Sequence, residues 1–250
     1  MCGIAGANLS PDENINAHDL SVALLLGIEE RGRHATGAAF FEGSDPQVQK
    51  TNMPASEFVE YLDMAAATRN LILHTRWATK GSPNDNRNNH PIDVRGIVGV
   101  HNGMVWNDDE VFDQIGAEKR IAEVDSEAIF ASLLYRDGKI TDTLSRIEGS
   151  AAVAWIDSYG DPEVLHVSRV SSSPLVYAWT EAGSFVFAST EHALRRGLAA
   201  VGLSPVGGPY TLSEGTYLRL RAGQVVSKAS YANADRRWAM TAQERQALGI

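Results

Sequence analysis

One cysteine in 250 residues excludes any disulfide within the chain, so the core has to be held by packing alone. Basic residues are also scarce: 22 Lys and Arg stand against 31 Asp and Glu, a formal net charge of -9. A nucleic-acid surface normally needs a basic patch, so no nucleic-acid partner is expected. No apolar run approaches the ~20 residues that span a bilayer, and no basic segment followed by an apolar stretch opens the chain. Neither a membrane nor secretion is therefore expected, and a single thiol fits a reducing, cytoplasmic location. Phosphate-cradling GxxxxGK[ST] and dinucleotide fingerprints are missing, which argues against a cofactor. His74, His90 and His101 match no zinc spacing and have no cysteine to join them, so no metal is expected. What is present is 44% apolar residues, enough at this length to bury one sizeable core.

The lone cysteine is Cys2, directly after Met1. Removal of Met1 would leave a residue carrying a thiol and a free α-amine on one short skeleton. An α-amine has a pKa of about 7.7–8.0, against about 10.4 for lysine, so part of it is unprotonated near neutral pH. A thiol near 8.5 is mostly protonated there and gains from a base of its own. The alternative is an inert cysteine packed in the core.

Further segments follow in order: RGRHATG over 31–37, HTRWATKG over 74–81, HNG over 101–103, and Asp125-Ser126-Glu127. With the MCGIAG start, these resemble the glutaminase domain of class II glutamine amidotransferases, a branch of the N-terminal nucleophile hydrolases. HTRWATKG and the following Asn89-His90-Pro91 are most similar to the glutaminase half of glucosamine-6-phosphate synthase. The resemblance covers about residues 2–228, leaving a tail over 229–250. It implies an α+β fold, a four-layer α-β-β-α sandwich of two antiparallel sheets.

Periodicity agrees with that order. Gly3 to Asn8 reads as a buried strand, and His18 to Glu30 as a helix with Leu20, Leu24, Leu25 and Ile28 on one face. Thr36 to Phe41, Leu71 to Arg76 and Ile97 to His101 read as strands, with a polar loop over Glu42 to Asn52. Phe58, Leu62 and Ala65 give a second helical stripe. Helices are expected at Ser126 to Tyr135 and Thr141 to Ile147. Strands then follow at Ala151 to Ile156, Val164 to Val167, Leu175 to Trp179, Ser184 to Ala188 and Thr216 to Leu220, interrupted by a helix over Glu191 to Leu198. In the tail, Thr241-Ala242-Gln243-Glu244 reads as a capping box opening a short helix.

The chemistry follows residue by residue. Cys2 is the expected nucleophile toward the side-chain amide of L-glutamine. Asn102 and Gly103 suit an oxyanion hole, one through its side-chain N–H₂ and the other through its backbone N–H; the competing reading is an ordinary Asn-Gly turn. Free glutamine carries one charge of each sign. Arg76 offers a planar fork to its carboxylate and Asp125 an acceptor to its ammonium, although Asp125 also suits a helix N-cap. The resemblance implies these same roles, sets Trp77 and Thr79 around the substrate, and gives Arg31 an organising role near the nucleophile. It also marks a departure: His34 stands where the family usually has aspartate. About 20 residues follow Ser227, too few for a synthase, so a separate acceptor enzyme for the ammonia is expected. Alternatives are a hydrolase of γ-glutamyl amides or peptides and a glutamine-binding subunit without turnover.

Overall fold

The computed structural model describes residues 1–42 and 45–234. The helix expected at Thr241 to Glu244, and the tail from residue 235 onward, lie outside the described residues.

The chain opens with β1 (Gly3–Asn8), buried on both faces, and α1 (Ala17–Ile28), whose Asn16 side chain accepts the His18 N–H as an N-cap. Two strands, β2 (Ala35–Glu42) and β3 (Asp45–Thr51), pair antiparallel, and the single turn α2 (Ala55–Phe58) leads to β4 (Asn70–Arg76). Next come β5 (Ile92–Val94) and β6 (Ile97–Val105), then α3 (Asp108–Ile115), α4 (Glu127–Tyr135) and α5 (Ile140–Leu144). The long pair β7 (Gly149–Asp157) and β8 (Asp161–Ser171) precedes β9 (Val176–Trp179), β10 (Phe185–Ala188) and α6 (Glu191–Ala200). Three last strands close the described chain: β11 (Tyr210–Thr211), β12 (Thr216–Arg221) and β13 (Gln224–Ser230).

These strands form two antiparallel sheets, in the orders β11-β9-β10-β1-β4-β2-β3 and β13-β12-β8-β7-β6-β5. Strand periodicity of two assigns each face. In the first sheet Ile4, Ile72 and Phe187 point inward and meet Val100, Ala154 and Val167 of the second. Their neighbours Ala5, Leu71 and Leu73 point outward onto α1 and α6. On the far side, Val153 and Trp155 of β7 pack with Phe112 of α3 and Phe130 of α4. The result is the expected α-β-β-α sandwich. Truncating one of these core side chains, such as Leu73→Ala, would cost about 2–5 kcal/mol.

Three local expectations are corrected. The polar loop over Glu42 to Asn52 is mostly strand β3, which lies at a sheet edge and needs no apolar periodicity. The stripe at Phe58, Leu62 and Ala65 is not one helix: α2 ends at Phe58, and beyond it Leu62 and Met64 are buried while Ala65 is exposed. Finally, β6 runs on to Val105, so Asn102 and Gly103 lie within the strand rather than after it.

Candidate active site

The same alternation carries Cys2 to the inner side of the sandwich. Cys2 precedes β1 in phase with inward Ile4; Arg76 and His74 are in phase with inward Ile72; Asn102 is in phase with inward Val98 and Val100. Cys2, Arg76 and Asn102 thus face one end of the space between the sheets.

The half-buried Cys2 Sγ accepts the Trp77 N–H at 3.4 Å and lies 3.6 Å from the Trp77 carbonyl oxygen. Burial pushes the thiol pKa up; the Trp77 N–H, the ammonium at the chain start and Arg76 oppose this, and Asp125 adds to it. The resting Cys2 side chain is therefore a thiol, and a thiol needs a base before it can attack a carbonyl. Arg31 Nε donates to the Cys2 carbonyl at 2.8 Å, which fixes the residue from its C-terminal side. Gly32 makes this clamp possible, because a Cβ there would lie 2.3 Å from the Arg76 carbonyl carbon.

Asn102 is 1% exposed, and its Nδ2 has no hydrogen-bond partner among the described residues. An unpaired buried donor costs about 1–3 kcal/mol, so it marks either strain or a waiting ligand. Gly103 has φ +144°, and a Cβ would sit 1.8 Å from the Ser150 carbonyl oxygen, so no side chain fits there. The competing reading as a hairpin turn fails, since both residues pair within β6 against Ala152 and Ala151 of β7.

Arg76 is buried, and three of its five N–H groups hold the loop that follows it. Nη1 donates to Asn89 Oδ1 at 2.9 Å, and Nη2 donates to the Lys80 and Gly81 carbonyls at 2.6 and 2.8 Å. Asn89 Nδ2 in turn donates to the Pro83 carbonyl, and Asn88 bridges Ser82 to Glu123. Asp125 Oδ2 accepts the Val105 N–H at 2.6 Å, so its carboxylate ties α4's start to β6 rather than capping the helix. Asp125 and Arg76 attract one another electrostatically across the site.

Trp77 is 48% exposed, which rules out core packing; it leans on His34, ring centroids 4.8 Å apart. His34 Nδ1 accepts the Ala78 N–H at 3.0 Å, so the imidazole standing in the usual aspartate position pins the same loop. Thr79 is exposed and is not brought onto Cys2 here. Lys80, one residue on, is an unforeseen contributor: its ammonium pairs with Asp108 at the first turn of α3, where Arg120 also binds. A lysine six residues after His74 and an aspartate 28 residues further on gave no sequence signal for that contact.

The histidines form a buried support. His74 stacks on His90 at 4.1 Å, and its Nε2 donates to the His101 carbonyl at 3.1 Å, linking β4 to the residue before Asn102. Burial pushes His74 down to about 3 and His90 well below its ordinary value, so both are neutral. His101 Nδ1 lies 2.8 Å from the Ser126 hydroxyl beside Asp125. Among the described residues no group of three His, Cys, Asp or Glu could hold a metal ion.

The family profile of the glutamine amidotransferase domain matches residues 74–196. A glutamine–fructose-6-phosphate aminotransferase (isomerizing) from Pyrococcus horikoshii is 33% identical over 188 residues, 70% of this chain and 30% of that protein. Its counterpart from Oceanobacillus iheyensis is 31% identical over the same length and shares. The chain thus spans under a third of the length of the curated relatives it matches. Among solved structures, the glutamine phosphoribosylpyrophosphate amidotransferase from B. subtilis has a TM-score of 0.73 at 18% identity, covering 92% of this chain and 49% of that one. A glutamine aminotransferase class-II domain protein from Silicibacter pomeroyi gives 0.55 at 15%, covering 93% and 100%. At such identities these structures speak for the fold, and the fold is theirs. With the sequence relatives, they lead to one conclusion: the chain belongs to the class II glutamine amidotransferases.

Proposed function

We propose that this domain hydrolyses L-glutamine to glutamate and ammonia through a γ-glutamyl thioester on Cys2, and that the ammonia is used by an acceptor enzyme. The observation that carries the reading is the unpartnered Asn102 Nδ2, a buried donor in phase with Cys2 at one end of the sandwich. Preorganised donors of this kind stabilise a developing oxyanion without reorganising during the reaction.

Met1 must leave first, and it is 76% exposed while Arg31 holds Cys2 through its carbonyl. The freed α-amine takes the thiol proton, and Sγ attacks the glutamine side-chain carbonyl carbon. The oxyanion accepts from Asn102 Nδ2 and the Gly103 N–H. Collapse breaks the carbon–nitrogen bond, and the α-ammonium returns its proton to the departing ammonia. Water then cleaves the thioester, releasing glutamate and the thiol. Two N–H groups of Arg76 remain for the substrate carboxylate after the loop has taken three, and Asp125 Oδ1 remains for the ammonium. Trp77 and Thr79 belong to the loop that would lie over the bound substrate. The aminotransferase relatives combine glutamine with a sugar phosphate by name, which supports an ammonia acceptor for this domain.

Intact-protein mass spectrometry, with and without the glutamine analogue 6-diazo-5-oxo-norleucine, tests the reading. The expected result is a mass lacking one methionine and a single adduct on Cys2. A retained methionine with no adduct would replace this reading with that of a glutamine-binding subunit without turnover.

A further inference from the structure

We propose that the outer face of β8, β12 and β13 carries a second binding site, for a small phosphorylated metabolite bearing hydroxyl groups. The site lies on the opposite face of the sheet from Asn102, and the inference stands independently of the reaction at Cys2.

A groove of about 660 Å³ opens there between the sheet and the Gly138 to Thr141 segment. That volume suits a small-molecule ligand. Across its floor the strand register sets His166, Arg219 and Ser227 side by side, each the direct partner of the next, with the buried Trp155 beneath as the next partner of His166. Direct cross-strand neighbours on one face stand about 4.5–5.5 Å apart, so Arg219 is flanked by His166 on one side and Ser227 on the other along the groove.

His166 is the most informative member. It is 6% exposed and packs against both Trp155, at 4.8 Å, and Tyr217, at 5.9 Å, which also stack on one another at 5.7 Å. Its Nδ1 lies 2.7 Å from the Tyr217 hydroxyl. Burial raises the pKa of that phenol and keeps it protonated; as it donates to Nδ1, it leaves the ring proton on Nε2. Nε2 faces the groove it lines and has no partner among the described residues.

Two cations share the groove without a carboxylate of their own. Among the described residues, the buried Arg219 Nε has no hydrogen-bond partner and the Lys139 ammonium at the rim makes no ion pair. The acidic residues nearby are engaged elsewhere: Asp161 pairs with Arg221, and Asp157 Oδ1 accepts the Tyr159 and Gly160 N–H groups. A guanidinium fork, an ammonium and an imidazole N–H aimed at one space match a phosphate, whose oxygens accept several charge-assisted bonds at once. Asp157 Oδ2 and the Thr141 and Ser227 hydroxyls then suit the ligand's hydroxyl groups.

Amide NMR of the full, untagged chain tests this, titrated with inorganic phosphate, glycerol phosphate and glycerol in turn. Saturable shifts at Lys139, His166, Arg219 and Ser227 are expected, tighter for glycerol phosphate than for phosphate, with none for glycerol. Arg219→Gln should weaken binding by about tenfold or more, the loss of one charge-assisted hydrogen bond, while thermal melting and glutamine hydrolysis stay unchanged. His166→Gln should weaken it as well, which covers the case in which Arg219→Gln fails to fold. Shifts that do not saturate, that persist unchanged in both variants, or that map to the Cys2 end would overturn the proposal.

Discussion

If Asn102 donates to the oxyanion as proposed, Asn102→Ala should separate catalysis from folding. The resting side chain is 1% exposed and its Nδ2 has no partner among the described residues, so its removal breaks no hydrogen bond that atom makes to them. Relief of a buried unsatisfied donor is worth about 1–3 kcal/mol. The cavity left by the lost amide opposes this by a similar small amount, because cavities cost about 24 cal/mol per Å³. The two nearly cancel, and the melting temperature should move by only a few degrees for a domain of this size, about 2–4 °C per kcal/mol. The transition state has no such compensation. Loss of one oxyanion donor should lower kcat by about 10²–10³, or about 2.7–4 kcal/mol, with little change in KM. Asn102→Asp keeps the volume but sets a carboxylate against the oxyanion, so it should be slower still. The assay is steady-state glutamate release alongside a thermal melt of each variant. A kcat within a few-fold of the parent at unchanged melting temperature would refute the oxyanion role. So would a KM effect that outweighed the kcat effect.

Other perturbations have definite directions. Gly103→Ala forces a Cβ into the Ser150 carbonyl oxygen at φ +144°; it should cost several kcal/mol, roughly the sum of backbone strain and overpacking, read as a depressed melt. Arg76→Ala should raise KM for glutamine and expose the 77–89 loop to proteolysis; an unchanged KM would mean the substrate carboxylate is held elsewhere. His34→Asp keeps an acceptor for the Ala78 N–H, so activity should survive, whereas His34→Leu should loosen the loop and raise KM. Acid should destabilise the fold through its buried imidazoles. His74 and His166 have folded pKa values near 3 against an ordinary 6.5, so the unfolded chain binds more protons between those values. Their stabilising contribution is complete above pH 6.5 and falls on acidification toward pH 3. The limiting slope is about 1.4 kcal/mol per pH unit for each group, and His166→Asn should flatten the stability profile measured by denaturant titration.

Much of this molecule is local in origin, and that part could be read from the sequence. Six consecutive buried residues from Gly3 to Asn8 have few options but a central strand, and the Leu spacing in α1 has few but an amphipathic helix. Cys2, Arg76, Asn102 and Asp125 could be picked out as candidates because each residue type is chemically demanding and each sits in a recognisable segment. Edge strand β3 was not, since an edge draws its order from pairing with β2 rather than from an apolar pattern. Nor could sequence assign Asp125 to the Val105 N–H instead of its own helix, because both acceptor roles satisfy local rules.

The sequence by itself determined the residue chemistry and the strand phases: Cys2 in phase with Ile4, Arg76 with Ile72, Asn102 with Val100. Tertiary structure decided which phases meet, because convergence of β1, β4 and β6 depends on how two sheets stack across a shared core. It also decided that Asn102 Nδ2 is left unpaired, that Arg76 spends three donors on its own loop, and that His166 and Arg219 share a groove. The groove joins His166 and Arg219, 53 positions apart, and the Cys2 end joins Cys2 to Arg76 and Asn102, 74 and 100 positions on, separations that no local preference encodes; the Arg76 bonds span only 4 to 13 positions but depend on the path its loop takes.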